Sequence, residues 1–121
     1  VTAGIETLKR LKKPGTYEQL EQRSVALSEG VGNAARKAGV PLTQTRVSSM
    51  MCAFFTQGPV TDWASAKKAD TKAYAKFFHQ MLDAGIYLAP SQFEAAFMSV
   101  AHTPKDIDRT ISAAQAAFKN L

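Results

Sequence analysis

Apolar positions recur at helical spacing in four stretches of the chain, and the stretches between them are extended or turn-forming. Val1, Ile5, Leu8 and Leu11 lie three or four residues apart, the spacing that gathers side chains on one helical face. Nothing before Val1 supplies a cap or a first turn, so this helix reads as one cut from something longer. Pro14-Gly15 breaks it. Thr16, followed three residues later by Gln19, predicts a capping box that opens a second helix running to about Ala38. Leu20, Leu27, Val31, Ala34 and Ala38 form its inward face, and Gly39 is placed to stop it.

The periodicity changes at Val40. Pro41 keeps a helix from continuing, and Thr45 and Val47 favour extended backbone. Strands are predicted at 42–47 and 50–56, the second buried on both faces because Met50 to Phe55 is uninterruptedly apolar. A short helical turn surrounds Trp63. Asp70 caps a strongly amphipathic helix whose stripe is Tyr74, Phe77, Phe78, Met81 and Leu82, and Gly85 ends it. Short strands are predicted at 86–88 and 96–100. Thr103-Pro104-Lys105-Asp106 combines a cap hydroxyl, a first-turn proline and an acid, and starts a closing helix with Ile107, Ile111, Ala114 and Phe118 inward. The fold class predicted is α+β: a small, mainly antiparallel sheet with helices near 17–38, 70–84 and 104–119 covering one face.

Length and composition narrow the classes. A chain of 121 residues, 45% hydrophobic and 21% charged, fits one globular domain. Such a chain buries roughly two thirds of its unfolded surface, enough for a core without disulfides. The lone Cys52 excludes a disulfide framework and suits a reducing compartment. No apolar run approaches the ~20 residues of a membrane span, and no signal-peptide pattern opens the chain.

The net charge of +5 raises a competing function, a free-standing basic module that binds nucleic acid or an acidic partner. Lys68, Lys72 and Lys76 recur every four residues, a spacing that puts three ammonium groups on one helical face. A solvated outer face explains the same spacing, and no aromatic is interleaved with these lysines.

Few residues are arranged for chemistry. Cys52, His79 and His102 are far apart and in no metal-ligand spacing. His79 falls on a polar helical face, His102 precedes a helix cap, and Cys52 reads as an inert core thiol without a neighbouring cation. Gly30-Val31-Gly32 sits within a helical pattern and follows no strand, so it is no dinucleotide loop. Ser48 and Ser49 lack the flanking glycines of a hydrolase elbow. Glu94 differs: it is the only formally charged residue between Asp83 and Lys105. A carboxylate in such surroundings is open to desolvation, which raises its pKa and suits it to proton transfer or to pairing with an amine. A loop carboxylate pointing to water is the other reading.

The segment around Glu94 carries a resemblance. Ile86-Tyr87-Leu88-Ala89-Pro90-Ser91-Gln92-Phe93-Glu94-Ala95 resembles the C-terminal signature of the glutamate-1-semialdehyde 2,1-aminomutase family. Val1-Thr2-Ala3-Gly4, Phe54-Phe55-Thr56, Phe77-Phe78-His79 and Phe97-Met98-Ser99-Val100-Ala101-His102-Thr103 match in family order. The resemblance implies the C-terminal small domain of a fold-type I enzyme of the class III aminotransferases. Residues 1–15 would link residues 16–121 to a large domain outside this chain. It implies pyridoxal phosphate (PLP) as cofactor, glutamate-1-semialdehyde as substrate, and a cytoplasmic homodimer that makes 5-aminolevulinate for tetrapyrroles, with no membrane and no specific nucleic acid as partner. The family's Schiff-base lysine and cofactor-binding residues fall upstream of the matched region, so this chain alone is expected to be inactive and to form no covalent link to the cofactor. Of the family's site residues only a carboxylate carries over, onto Glu94, near the cofactor and substrate and within reach of an amine. The chain departs from the family at Ser48-Ser49-Met50-Met51-Cys52, where Gly-Gly-Met-Phe-Gly is usual, and at Ala96, where glycine is usual. Each lost glycine removes backbone freedom and adds side-chain volume.

Overall fold

The computed structural model describes residues 1–121, as five helices and three short strands. In chain order these are α1 (Thr2–Leu11), α2 (Thr16–Ala38), β1 (Thr43–Val47), β2 (Met50–Phe54), α3 (Trp63–Ala66), α4 (Thr71–Asp83), β3 (Ala96–Phe97) and α5 (Pro104–Lys119). The sheet is antiparallel throughout, in the order β1-β2-β3, with Thr43 opposite Phe54 and Ala96 opposite Met51. The α+β class and the antiparallel sheet match the reading of the sequence.

Consecutive residues of extended backbone point to opposite sides, and Phe54 and Phe55 use this to build two clusters. Phe54 packs with Ala66 and Ala69, from α3 and the turn after it. Phe55 enters the main core, where Ala34 and Ala35 of α2 meet Tyr74, Phe77 and Met81 of α4 and Ala114, Ala117 and Phe118 of α5. The rings of Phe77 and Phe118 stack with centroids 4.7 Å apart, and Phe55 leans on both. Ser24 is fully buried on α2 because its hydroxyl donates back to the Leu20 carbonyl at 2.6 Å, satisfying it within the helix.

Both long helices before α5 end as expected. Gly39 and Gly85 adopt left-handed backbone with φ of 71° and 79°, which only glycine takes without strain. Asp70 caps α4 by accepting from the N–H groups of Lys72 and Ala73. Thr103 and Asp106 form the reciprocal capping box of α5.

Five expectations need correction. The capping box at Thr16 does not form: Gly15, in left-handed backbone, is the N-cap of α2, and the Thr16 hydroxyl donates instead to the Arg10 carbonyl. No strand forms at 86–88. The Ile86 N–H closes the end of α4 on the Met81 carbonyl, and Ile86 to Leu88 pair with no strand. The strand at 96–100 shortens to Ala96–Phe97, prolonged only by the Met98 N–H bond to the Ser49 carbonyl. β2 is not buried on both faces, since Met50 is 41% exposed and only its Phe54 end is buried. Finally, Lys68 lies in the turn after α3, while Lys72 and Lys76 lie on α4, so the three lysines share no helical face.

The β1–β2 turn places a serine where the backbone favours glycine. Ser48 is held at a φ of 51°, the only non-glycine residue with positive φ. Left-handed backbone costs an L-residue roughly 1–2 kcal/mol, and a glycine gives back about 0.4–1 kcal/mol of that through unfolded-state entropy. Ser48→Gly should therefore stabilise the fold by about 0.5–1 kcal/mol, measurable as a raised urea midpoint. An unchanged or lower midpoint would show that the turn carries no strain.

The α5 capping box predicts a response to acid. Hydrogen bonds from the Thr103 hydroxyl and N–H hold Asp106 below the ordinary carboxylate range. A carboxyl depressed on folding contributes stability that is complete above its unfolded pKa, near 3.9, and lost as pH falls through the folded value. Thr103→Ala should cost about 1 kcal/mol at neutral pH and flatten the decline of stability below about pH 4. Unfolding curves between pH 2 and 7 for the two proteins check both parts.

Candidate functional site

The segment from Ala89 to Glu94 lies on the connection from α4 to β3, and three side chains hold it, Tyr74 and Gln92 buried and Cys52 half-buried. Tyr74, on the buried face of α4, donates its hydroxyl to the Ala89 carbonyl. Gln92 is 3% exposed, and its Oε1 accepts the Phe55 N–H at 3.0 Å. The Cys52 thiol, on β2, makes a long contact of 3.8 Å with the Glu94 carbonyl. Ser91 tightens the turn itself, its Oγ accepting from the Phe93 N–H and its carbonyl from the Glu94 N–H, both at 3.2 Å. Outside the loop, Phe93 meets the ring of Trp63 edge-on at 5.3 Å, so α3 buttresses the loop from its solvent side.

Beneath this loop lies a cavity of about 120 Å³. Its walls are largely aliphatic and aromatic, with Phe55, Tyr74, Phe118, Cys52 and Gln92 among them, and Glu94 is its only formally charged lining residue. Burial pushes the Tyr74 phenol up, and the negative charge of Glu94 adds to it. Burial also pushes the Cys52 thiol up, so it stays protonated at neutral pH. A protonated, half-buried thiol without a cation beside it is no nucleophile, in line with the reading of Cys52 from the sequence.

Glu94 itself is exposed, as are Phe93 and Phe97. The apolar sequence around it therefore does not translate into a desolvated carboxylate in this chain. His79 is exposed on the outer side of α4. His102 serves local hydrogen bonding, its Nδ1 accepting from the Ser99 N–H at 3.1 Å. No three His, Cys, Asp or Glu side chains converge as metal ligands, and no helix is long and apolar enough to cross a membrane.

The residues of the cavity do not fit a resident phosphorylated cofactor. No lysine, arginine or histidine lines it, its volume is small, and its single charge would repel a phosphate. The sequence singles out Glu94 as a candidate but gives no sign of Gln92, Tyr74 and Cys52 as the groups that hold its loop. A glutamine amid loop residues reads as solvated, and only the Phe55 N–H left free at the end of β2 explains its burial.

A three-stranded antiparallel sheet with five helices matches the C-terminal portion of PLP-dependent class III aminotransferase folds. The FumI protein of Sphingopyxis sp. MTA144, solved in a PLP form, superposes with a TM-score of 0.79 and 28% identity, covering 98% of this chain and 26% of FumI. A glutamate-1-semialdehyde aminomutase from Pseudomonas aeruginosa PAO1 superposes with a TM-score of 0.76 over 87% of this chain and 23% of that one; at 18% identity it bears on the fold alone. By sequence, the chain is 56% identical over all 121 residues to glutamate-1-semialdehyde 2,1-aminomutase of Citrifermentans bemidjiense. It is 54% identical to the enzyme of the same name from Geotalea daltonii, again over 121 residues. The chain is thus a homologue of the C-terminal part of glutamate-1-semialdehyde 2,1-aminomutase, and it spans 28% of the length of these relatives. No protein-family model matches it.

Proposed function

We propose that residues 16–121 form the C-terminal small domain of a PLP-dependent aminomutase that converts glutamate-1-semialdehyde to 5-aminolevulinate, with residues 1–15 leading from its large domain. The single observation that carries this reading is 56% identity across the entire chain to an enzyme of that name. The reading extends to a cytoplasmic homodimer and to a role in tetrapyrrole synthesis. The cofactor belongs to the remainder of the protein, because the cavity has no cationic side chain to hold a phosphate and its single charge, Glu94, is of the wrong sign.

Within this reading the chain contributes the Glu94 carboxylate. The exposed face of the 89–94 loop turns toward the rest of the enzyme, and Glu94 meets the substrate there. An ionised carboxylate beside a substrate ammonium orients it through a charge-assisted hydrogen bond, and accepts one of its protons when the nitrogen must become a free amine. The firm seating of the loop matters for this work, since an oriented base loses nothing to reorganisation when the proton moves.

The full-length protein containing this chain should form aminolevulinate from glutamate-1-semialdehyde when PLP is supplied, and the chain alone should form none. Colorimetric assay of aminolevulinate decides between outcomes. A full-length protein that is inactive on this substrate but transaminates others would retain the fold and overturn the substrate.

A further inference from the structure

Phe55 follows the last residue of β2 and uses both of its backbone groups to join other elements. Its carbonyl accepts the N–H of Asp70, the N-cap residue of α4, at 2.9 Å, and its N–H donates to Gln92 Oε1 at 3.0 Å. The direction of the Gln92 amide is therefore set, because a flipped amide would place its NH2 donor against the Phe55 N–H. Gln92 Nε2 is buried without a protein partner, and the residue lines the cavity beneath the loop. Gln92 is the one loop side chain driven into the core, with its neighbours Phe93 and Glu94 both exposed. The other two tethers, from Tyr74 and Cys52, reach the loop only at its ends, through the carbonyls of Ala89 and Glu94.

We propose that Gln92 is a positioning residue for Glu94: its amide locks the middle of the 89–94 loop onto the end of β2 and so determines where the Glu94 carboxylate stands. This rests on the reading of Glu94 as the substrate-facing carboxylate. A loop freed from Phe55 keeps only its end tethers and the edge contact of Phe93 with Trp63. Glu94, tied beyond the loop only by the long Cys52 contact, lies two residues from the lost bond. Displacement of a reacting group by about 1 Å can cost up to a hundredfold in rate, so the effect falls on turnover.

The test is a double-mutant cycle on the full-length enzyme, with Gln92→Met, Glu94→Gln and the pair assayed for aminolevulinate formation. Methionine matches the volume of glutamine but cannot accept the Phe55 N–H strongly. Gln92→Met alone should lower kcat about tenfold while KM changes less than threefold. In the Glu94→Gln background it should lower kcat less than twofold further, because there is no carboxylate left to misplace. Undiminished kcat in folded Gln92→Met, or the same loss in both backgrounds, would overturn the proposal. Should Gln92→Met fail to fold, Gln92→Asn, which keeps an amide one methylene short of Phe55, is put through the same cycle and judged by the same criterion. The reading of Glu94 fails separately, if Glu94→Gln alone keeps full turnover.

Discussion

Glu94→Gln in the full-length enzyme is expected to lower kcat and kcat/KM together by ten- to a thousandfold. The substitution keeps shape and hydrogen-bonding length and removes only the charge. Losing one charge-assisted contact made mainly in the transition state costs about 1.4 to 4 kcal/mol, which is the range of that rate loss. The structure supplies two reasons to expect a clean result. The carboxylate accepts no hydrogen bond from the rest of this chain, so its removal leaves no buried donor stranded. The loop backbone is held by Tyr74, Gln92 and Cys52, none of which depends on the Glu94 side chain. Uptake of PLP, followed in the absorbance spectrum, should be unchanged, because no cationic side chain lines the cavity beneath the loop and the Glu94 carboxylate would not hold a phosphate. Turnover equal to that of the parent enzyme would return Glu94 to the standing of a solvated loop residue.

Phe118→Ala should destabilise the fold by about 3–5 kcal/mol, the usual cost of deleting a buried phenylalanine. Phe118 is 2% exposed, stacks on Phe77 and meets Phe55, so the substitution removes one ring from a three-ring cluster as well as apolar contact. It also lines the cavity, where the void left by the ring would adjoin space that already exists. Collapse is therefore hindered, which places the expected loss in the upper half of the range. Domains of this size are stable by only about 5–15 kcal/mol, so a large share of the margin is at stake. Urea unfolding followed by far-ultraviolet circular dichroism reads the change. A loss under about 1 kcal/mol would contradict the packing described.

The helices were legible in the sequence because their information is local. The Asp70 cap, the Thr103–Asp106 capping box and the stops at Gly39 and Gly85 are set by spacings of a few residues and are present. Of the α4 stripe, Tyr74, Phe77 and Met81 are buried and Phe78 partly so, while Leu82 is 42% exposed. The strands were legible in full where a hairpin makes pairing local, and only in part at 96–100, of which Ala96–Phe97 pairs with the distant β2. β1 and β2 face each other across the two-residue turn at Ser48-Ser49, whereas Ile86 to Leu88 had the composition of a strand and no edge to join. Their fate was decided by Ile86 N–H closing α4 and by Tyr74 taking the Ala89 carbonyl, contacts that no pattern along the chain announces.

The site divides the same way. The isolation of Glu94 among uncharged residues singled it out, and the match of its segment to a known enzyme signature gave it a context. Its surroundings came from tertiary structure alone. That Gln92 is buried while Glu94 is exposed depends on where the Phe55 N–H emerges at the end of β2, 37 residues earlier in the chain. The three lysines at 68, 72 and 76 lost their common face for a related reason, a turn between α3 and α4. Periodicity and capping act within one turn of helix and are written in neighbouring residues. A hydrogen bond between a loop and a strand end depends on the packing of everything between them, and only the assembled fold decides it.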